Sequence, residues 1–257
     1  MRFGVLLTDG HRASLGGASE AAEAAGFDAA WISPTPVGNP FALVAAVAGS
    51  TTGLSIGVVA TVGDIHPLHT AEEIALADHI TAGRLTVALV SPPACPPDRF
   101  VEAVAIIRAA LRGGPFRHDG AYYTVPAGLS EHEGARHHAL VQPTPTPAQI
   151  RVPLLVGHSV DVPDTDGRVS WPPGGDHRPV DGRLDVAVVE TTTDTPSRVA
   201  IELAAYRESG FDLAVCHLPG TGDELITNIG RLGRLVLPRL RALRLPPVIL
   251  EAMEQEE

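Results

Sequence analysis

The sequence contains no lysine; all 19 of its basic residues are arginine. That excludes a Schiff-base lysine and a phosphate-loop lysine as chemical tools. Positive charge is scarce altogether. A net charge of −11 argues against nucleic acid or an anionic membrane surface as partner. Cysteine is almost missing. Cys95 and Cys216 make no disulfide framework and fit a reducing compartment. Aromatic residues are only 4% of the chain, so Val, Leu, Ile and Ala must fill the interior. No run approaches the roughly 20 apolar residues of a membrane helix. The opening "MRFGVLLTDG" has an apolar run too short for a secretion signal. The expectation is a soluble, cytoplasmic protein.

What is present is a regular alternation. The 257 residues, 44% of them hydrophobic, suffice for one large core and a single domain spanning 1–257. "RFGVLLT", "AAWIS", "LSIGVVATV" and "LTVALVS" read as strands that are apolar on both faces. Between them lie "SLGGASEAAEAAG", "NPFALVAAVAGS" and "HTAEEIALADHITAG", and after them "DRFVEAVAIIRAALRGG", all helical in pattern. Asn39 is placed to cap one helix with Pro40 in its first turn, and Thr70 with Glu73 approximates a capping box. This β-α rhythm implies a parallel sheet covered by helices. The phrase Gly-Phe-Asp occurs twice, at 26–28 and 210–212, each time after a helical run and before an apolar one. It reads as a helix-to-strand corner. The glycine takes the left-handed position that ends a helix, and the phenylalanine folds back beside it.

After Gly114 the rhythm breaks. "PFRHDGAYYTV" reads as a small hairpin turning at Asp119-Gly120, and 126–150 as a loop. "VPLLVG", "RVSW", "RLDVAVVE" and "LAVCHL" complete about eight strands. "TPSRVAIELAAYRES" and "DELITNIGRLGRLVLPRLRAL" are the last two helices. A full covering helix is missing between 158 and 182, where proline, glycine and aspartate accumulate, and the thin flank this leaves is expected to expose apolar strand surface to a second copy of the chain. An eight-stranded (β/α)8 barrel of the TIM type fits the count. The runner-up is an open doubly wound sheet, but no G-x-G-x-x-G follows the first strand.

The segment 39–85 carries an apolar helix, a strand, His66-Pro67, Ala71-Glu72, Asp78-His79 and Gly83-Arg84. Together with "AEAAGFDAAWIS", "FVEAVAIIRAALRGGPFRHDGAYYTV" and "VQPTPTPAQIRVPLLVGH", it resembles the bacterial luciferase-like superfamily, in a shortened and divergent form. That resemblance implies a barrel, an oxidoreductase or monooxygenase acting on an organic small molecule with reduced FMN or coenzyme F420, and a homodimer. The chain departs from the family where the cofactor would sit. Ser33-Pro34-Thr35 stands where the family has an acid and a histidine. "ALVSPPACPP" replaces a glycine-bearing turn, and "GHSVDVPDTDG" is short and acidic, with Asp161, Asp164 and Asp166 set to repel a phosphate. Arg168, Arg178 or another arginine would have to supply the compensating charge.

In a β/α barrel the chemistry sits at the C-terminal ends of the strands. Those ends carry Asp9, His11, Ser33, Thr35, Thr61, Ser91, His158, Trp171, Glu190 and His217. The candidate catalytic residues are Asp9 and His11, read as an acid/base pair, with His158 and His217. Each has a bland counterpart: a solvated turn for the first two, a satisfied buried histidine for His217. Ser33, Thr35, Thr61, Ser91 and Gly157 are the candidate cofactor contacts, with the Thr61 hydroxyl foremost. His66 reads as structural. "EHEGARHH" is no zinc motif, because His132 and His137, five apart, would point about 140° from each other on a helix. No metal site is expected, and Cys95 lacks a second cysteine nearby. Two classes stay open: a flavin or F420 oxidoreductase, and a repurposed barrel that has lost the cofactor and binds a small molecule or catalyses a non-redox step.

Overall fold

The computed structural model describes residues 1–33, 39–63, 65–126, 140–157, 160–170, 179, 182–191 and 195–242. Ten strands are found among them: β1 (Arg2–Leu7), β2 (Ala29–Ile32), β3 (Ser55–Thr61), β4 (Leu85–Val90), β5 (His118–Asp119), β6 (Thr124–Val125), β7 (Leu154–Gly157), β8 (Gly167–Ser170), β9 (Leu184–Glu190) and β10 (Leu213–His217). Eight of these close into a parallel barrel in the order β1-β10-β9-β8-β7-β4-β3-β2. This is the (β/α)8 barrel that the alternation implies, and the open sheet is excluded. β5 and β6 form the small antiparallel hairpin outside it. Helices α1 (Leu15–Ala24), α2 (Val44–Ser50), α3 (Pro67–Ile80), α4 (Pro97–Leu111), α5 (Pro196–Glu208), α6 (Gly222–Leu235) and α7 (Leu237–Ala242) surround the barrel.

Strand alternation divides the apolar residues into two clusters. Leu6, Trp31, Val59, Val90, Leu155, Val169, Val188 and Val215 pack inside the barrel. Leu7, Ile32, Val58, Leu89, Val156 and Val189 face the helices. Each such side chain, fully buried, contributes about 1.5–3 kcal/mol. The indole of Trp31 lies across Gly57, where a Cβ would stand only 2.1 Å from the ring. No other residue type fits there.

The two Gly-Phe-Asp corners lie at the same, N-terminal, end of the barrel. Gly26 (φ +83°) and Gly210 (φ +94°) take the left-handed conformation. The Phe27 N–H donates to Ala22 O and the Phe211 N–H to Tyr206 O, which is the bond expected of such a helix end. The aspartates add something the sequence does not announce. Asp28 Oδ2 accepts from the Phe3 N–H (2.8 Å), and Asp212 Oδ2 from the Asp185 N–H (2.9 Å). Asp166 does the same to the Leu154 N–H (2.8 Å). In all three, a carboxylate just before one strand satisfies an amide within the first two residues of the strand beside it.

Three expectations need correction. First, α3 begins at Pro67 with His66 as its cap, not at Thr70, and Glu73 bonds Asn39 instead of closing a capping box. His66 Nδ1 accepts from the Leu68 N–H (3.3 Å), so this histidine is structural as read. Second, the last helix breaks into α6 and α7 around Val236, because Pro238 has no N–H and its ring crowds the preceding turn. Third, the connection from β7 to β8 does lack a helix over its described residues 160–166, yet it leaves no exposed strand face. Val162 (1% exposed) and Val160 plug the flank, and Leu154 and Val156 are completely buried beneath.

Candidate active site at the barrel mouth

The inward alternation of each strand selects what faces the C-terminal mouth. Following Leu6, Trp31, Val59, Leu155, Val188 and Val215 two residues onward gives Thr8, Ser33, Thr61, Gly157, Glu190 and His217. Ser33 is buried, with its N–H on Leu7 O (2.9 Å), and Thr61 is exposed at its strand end. At Gly157 a Cβ would already touch Val90 Cγ1 at 3.7 Å, so the missing side chain keeps the wall low. Ser91 differs. It follows inward-facing Val90, so its alternation points it away, and its hydroxyl donates to Pro92 O (3.2 Å). The expectation that Ser91 lines the ring site is not met. Thr35, His158, Trp171 and Arg178 lie outside the described residues, as do "EHEGARHH" and the side chain of Asp9, whose backbone opens a 3-10 turn over Asp9–Ser14.

Register pairs Glu190 with His217 across β9 and β10. The Glu190 carboxylate meets His217 Nδ1 at 2.8 and 2.9 Å. A carboxylate only accepts, so Nδ1 carries the proton of the neutral ring and Nε2 is left as a lone pair. No described residue bonds that Nε2. The Thr191 hydroxyl and N–H both reach His217 O, at 2.8 and 3.1 Å, and fix the strand end beneath the ring. A carboxylate-oriented imidazole with its second nitrogen uncommitted is the arrangement of a general base.

His11 has the opposite tautomer and a different use. Its Nδ1 accepts from the Thr8 N–H (3.0 Å), so its Nε2–H donates to Gly220 O (3.0 Å). Burial, opposed by that bond and aided by His217 nearby, holds its pKa below the usual value. Both nitrogens are committed, and the ring ties the first β-α loop to the last. It does not serve as the acid/base partner expected for Asp9.

The acidic stretch after β7 is also placed differently from the expectation. Asp164 and Asp166 sit at the N-terminal end of β8, away from the mouth. Asp166 pairs with Arg108 (2.5 Å) and Arg151 (2.7 Å), and Asp164 with Arg112 (2.7 Å) and Arg151 (3.1 Å). The Arg151 bond holds Asp164 below its ordinary pKa; at Asp166 burial is outweighed by the Leu154 N–H and then by Arg151 and Arg108, so its pKa is lowered too. Arg168, one residue before inward-facing Val169, bonds Asp161 (2.9 Å) on the outer flank. It is not available to a phosphate at the mouth. An apolar cleft between α5 and α6, bordered by Thr195, Leu218 and Arg231, has only about 30 Å³ of free space and cannot seat a ring system. The hydroxyl-bearing strand ends Thr8, Ser33 and Thr61, with the bare backbone of Gly157, fit the ring portion of a flavin-type cofactor, whereas Arg168 does not fit its phosphate.

The molecule is thus a (β/α)8 barrel with an oriented histidine and a hydroxyl-lined mouth. The model of the luciferase-like monooxygenases matches residues 1–159, and the chain belongs to that family. Among curated proteins none matches the chain in sequence. Similar solved structures include the coenzyme F420-dependent tetrahydromethanopterin reductase of Methanopyrus kandleri (15% identity, TM-score 0.69, 93% of this chain and 99% of that one). Monooxygenase RslO1 of Streptomyces bottropensis has the same identity, score and coverage. An F420-dependent secondary alcohol dehydrogenase in complex with an F420-acetone adduct follows at 14%, TM-score 0.69 and the same coverage. At these identities the likeness is one of fold.

Proposed function

We propose that the chain is an oxidoreductase or monooxygenase acting on an organic small molecule at the barrel mouth, with reduced FMN or F420 as its partner in electron transfer. The single observation that carries this reading is the Glu190–His217 pair, set on adjacent strand ends with Nε2 engaged by no described residue. The cofactor, when bound, supplies the reducing electrons. The protein's part is to hold and move protons. His217 Nε2 accepts a proton from, or returns one to, a substrate oxygen, while Glu190 stabilises the imidazolium that forms. Thr61 and Ser33 offer hydroxyls to the polar edge of a ring system, and Gly157 lets that ring approach the wall. The related solved structures include one in complex with FMN and one with an F420 adduct, which supports the choice between these two.

Titration with FMN and with F420, oxidised and reduced, tests the reading. The expected result is micromolar binding of one reduced form, weakened about tenfold by Thr61→Val through loss of one hydrogen bond. Glu190→Gln should lower kcat by about 10² to 10⁴, as loss of base orientation does, with little change in cofactor affinity. No binding of any form favours the second reading, the cofactor-free barrel. The outward commitment of Arg168 to Asp161 speaks for that alternative.

A further inference from the structure

The opposite end of the barrel is hollow. A cavity of about 220 Å³ lies at the N-terminal end, bounded by Ala29, Trp31, Ser55, Gly57, Thr86 and Leu213. β/α barrels fill their interior with layers of bulky branched side chains. Here the lowest inward layer on β2, β3 and β4 is Ala29, Ser55, Gly57 and Thr86, all small. Trp31 lies over Gly57 and roofs the space, which separates it from the mouth. An engineered apolar cavity of about 150 Å³ holds benzene, so this one accepts a single ring with a substituent. The hydroxyls of Ser55 and Thr86, both half-buried, have no hydrogen-bond partner among the described residues. Each can donate and accept. The charges at the rim, one of each sign, do not single out an ionic ligand. Asp28 Oδ2 is already taken by the Phe3 N–H and Arg241 (3.0 Å), and Arg2 is exposed to water, where its attraction is screened.

From this geometry we propose that the cavity is a binding site for a small neutral aromatic molecule bearing one hydroxyl, of the size of phenol. Its ring stacks or edges against Trp31, and its hydroxyl exchanges hydrogen bonds with Ser55 and Thr86. The site is independent of any cofactor at the mouth.

Calorimetric titration of the whole protein with phenol and with benzene, up to the solubility of each, tests this. Phenol should bind about five- to tenfold more tightly than benzene, the worth of one net hydrogen bond. The double variant Ser55→Ala/Thr86→Val should erase that preference and keep benzene binding. Ser55→Leu should fill the cavity and abolish both, with Thr86→Leu as the substitute if the first variant does not fold by circular dichroism. In a Trp171→Phe background, phenol should also change the emission of Trp31. Absence of binding by either ring, equal affinity for the two in the unaltered protein, or affinity indifferent to both filling substitutions overturns the proposal.

Discussion

Cys216 and Cys95 are chemically unlike, although the sequence presents them as two similar odd thiols. Cys216 is fully buried behind β10, and burial pushes its pKa up to about 12, so it forms no thiolate at neutral pH. Cys95 is half-buried beside Gly63. A disulfide reagent should therefore label one thiol per native chain, with the second appearing only on denaturation; two rapidly labelled native thiols would contradict the placement. The histidines divide in the same way. The neutral state that the fold imposes on His11 is favoured above the ordinary histidine value of 6.5. Its contribution to stability is present in full there and is lost as pH falls from that value toward the lower folded one. Urea midpoints taken above and below 6.5 should fall with acidification, and His11→Gln should flatten the dependence. None of this was legible locally. His11 has its partner Gly220 at a separation of 209 residues, and Glu190 meets His217 only once β9 and β10 lie in register. A reader who had aligned "DVAVVE" with "LAVCH" by strand end would have found that pair.

The strands were legible to within a residue or two because apolar runs bounded by glycine, proline and aspartate leave few alternatives. Helix boundaries were less so. Thr70 and Glu73 imitate a capping box, but His66-Pro67 starts the helix earlier, and Pro238 overrides the amphipathic pattern running through it. At the corners the glycine was readable from its place in the chain, whereas the aspartate's amide partner belongs to another strand. Asp212→Ala strips the acceptor from the Asp185 N–H. It should cost about 1–3 kcal/mol, the penalty of an unsatisfied buried amide, measured by urea unfolding. Gly210→Ala should cost about 1–2 kcal/mol through its left-handed backbone. A loss near zero in the aspartate variant would mean that water replaces the carboxylate.

Across the whole molecule, the barrel was legible from the number of units, and the family from the segment around His66. The function of the connection after β7 was not, because aspartates that look like a phosphate barrier are turned to the other end and neutralised. The homodimer implied by the resemblance also loses one of its supports, since Val162 covers the flank. Among the exposed large apolar side chains, Leu76 (54%) and Ile80 (42%) stand one turn apart on α3. If the chain pairs through that helix, sedimentation should show a dimer and Leu76→Glu a monomer. Among the described residues no helix is long and apolar enough to cross a membrane. One last feature bears on how the molecule comes into being. β1 pairs with β10, His11 reaches Gly220, and Arg241 reaches Gly26 and Asp28, so the beginning of the chain is completed by its last described turn. During synthesis, β1 must wait with one edge unsatisfied until nearly every other element has left the ribosome. Closure of that seam is then the slow, late step of folding, as pairing over so long a loop requires. The amides that cross the β1–β10 seam, that of Arg2 to Asp212 O among them, should be the last to gain protection in a refolding hydrogen-exchange experiment.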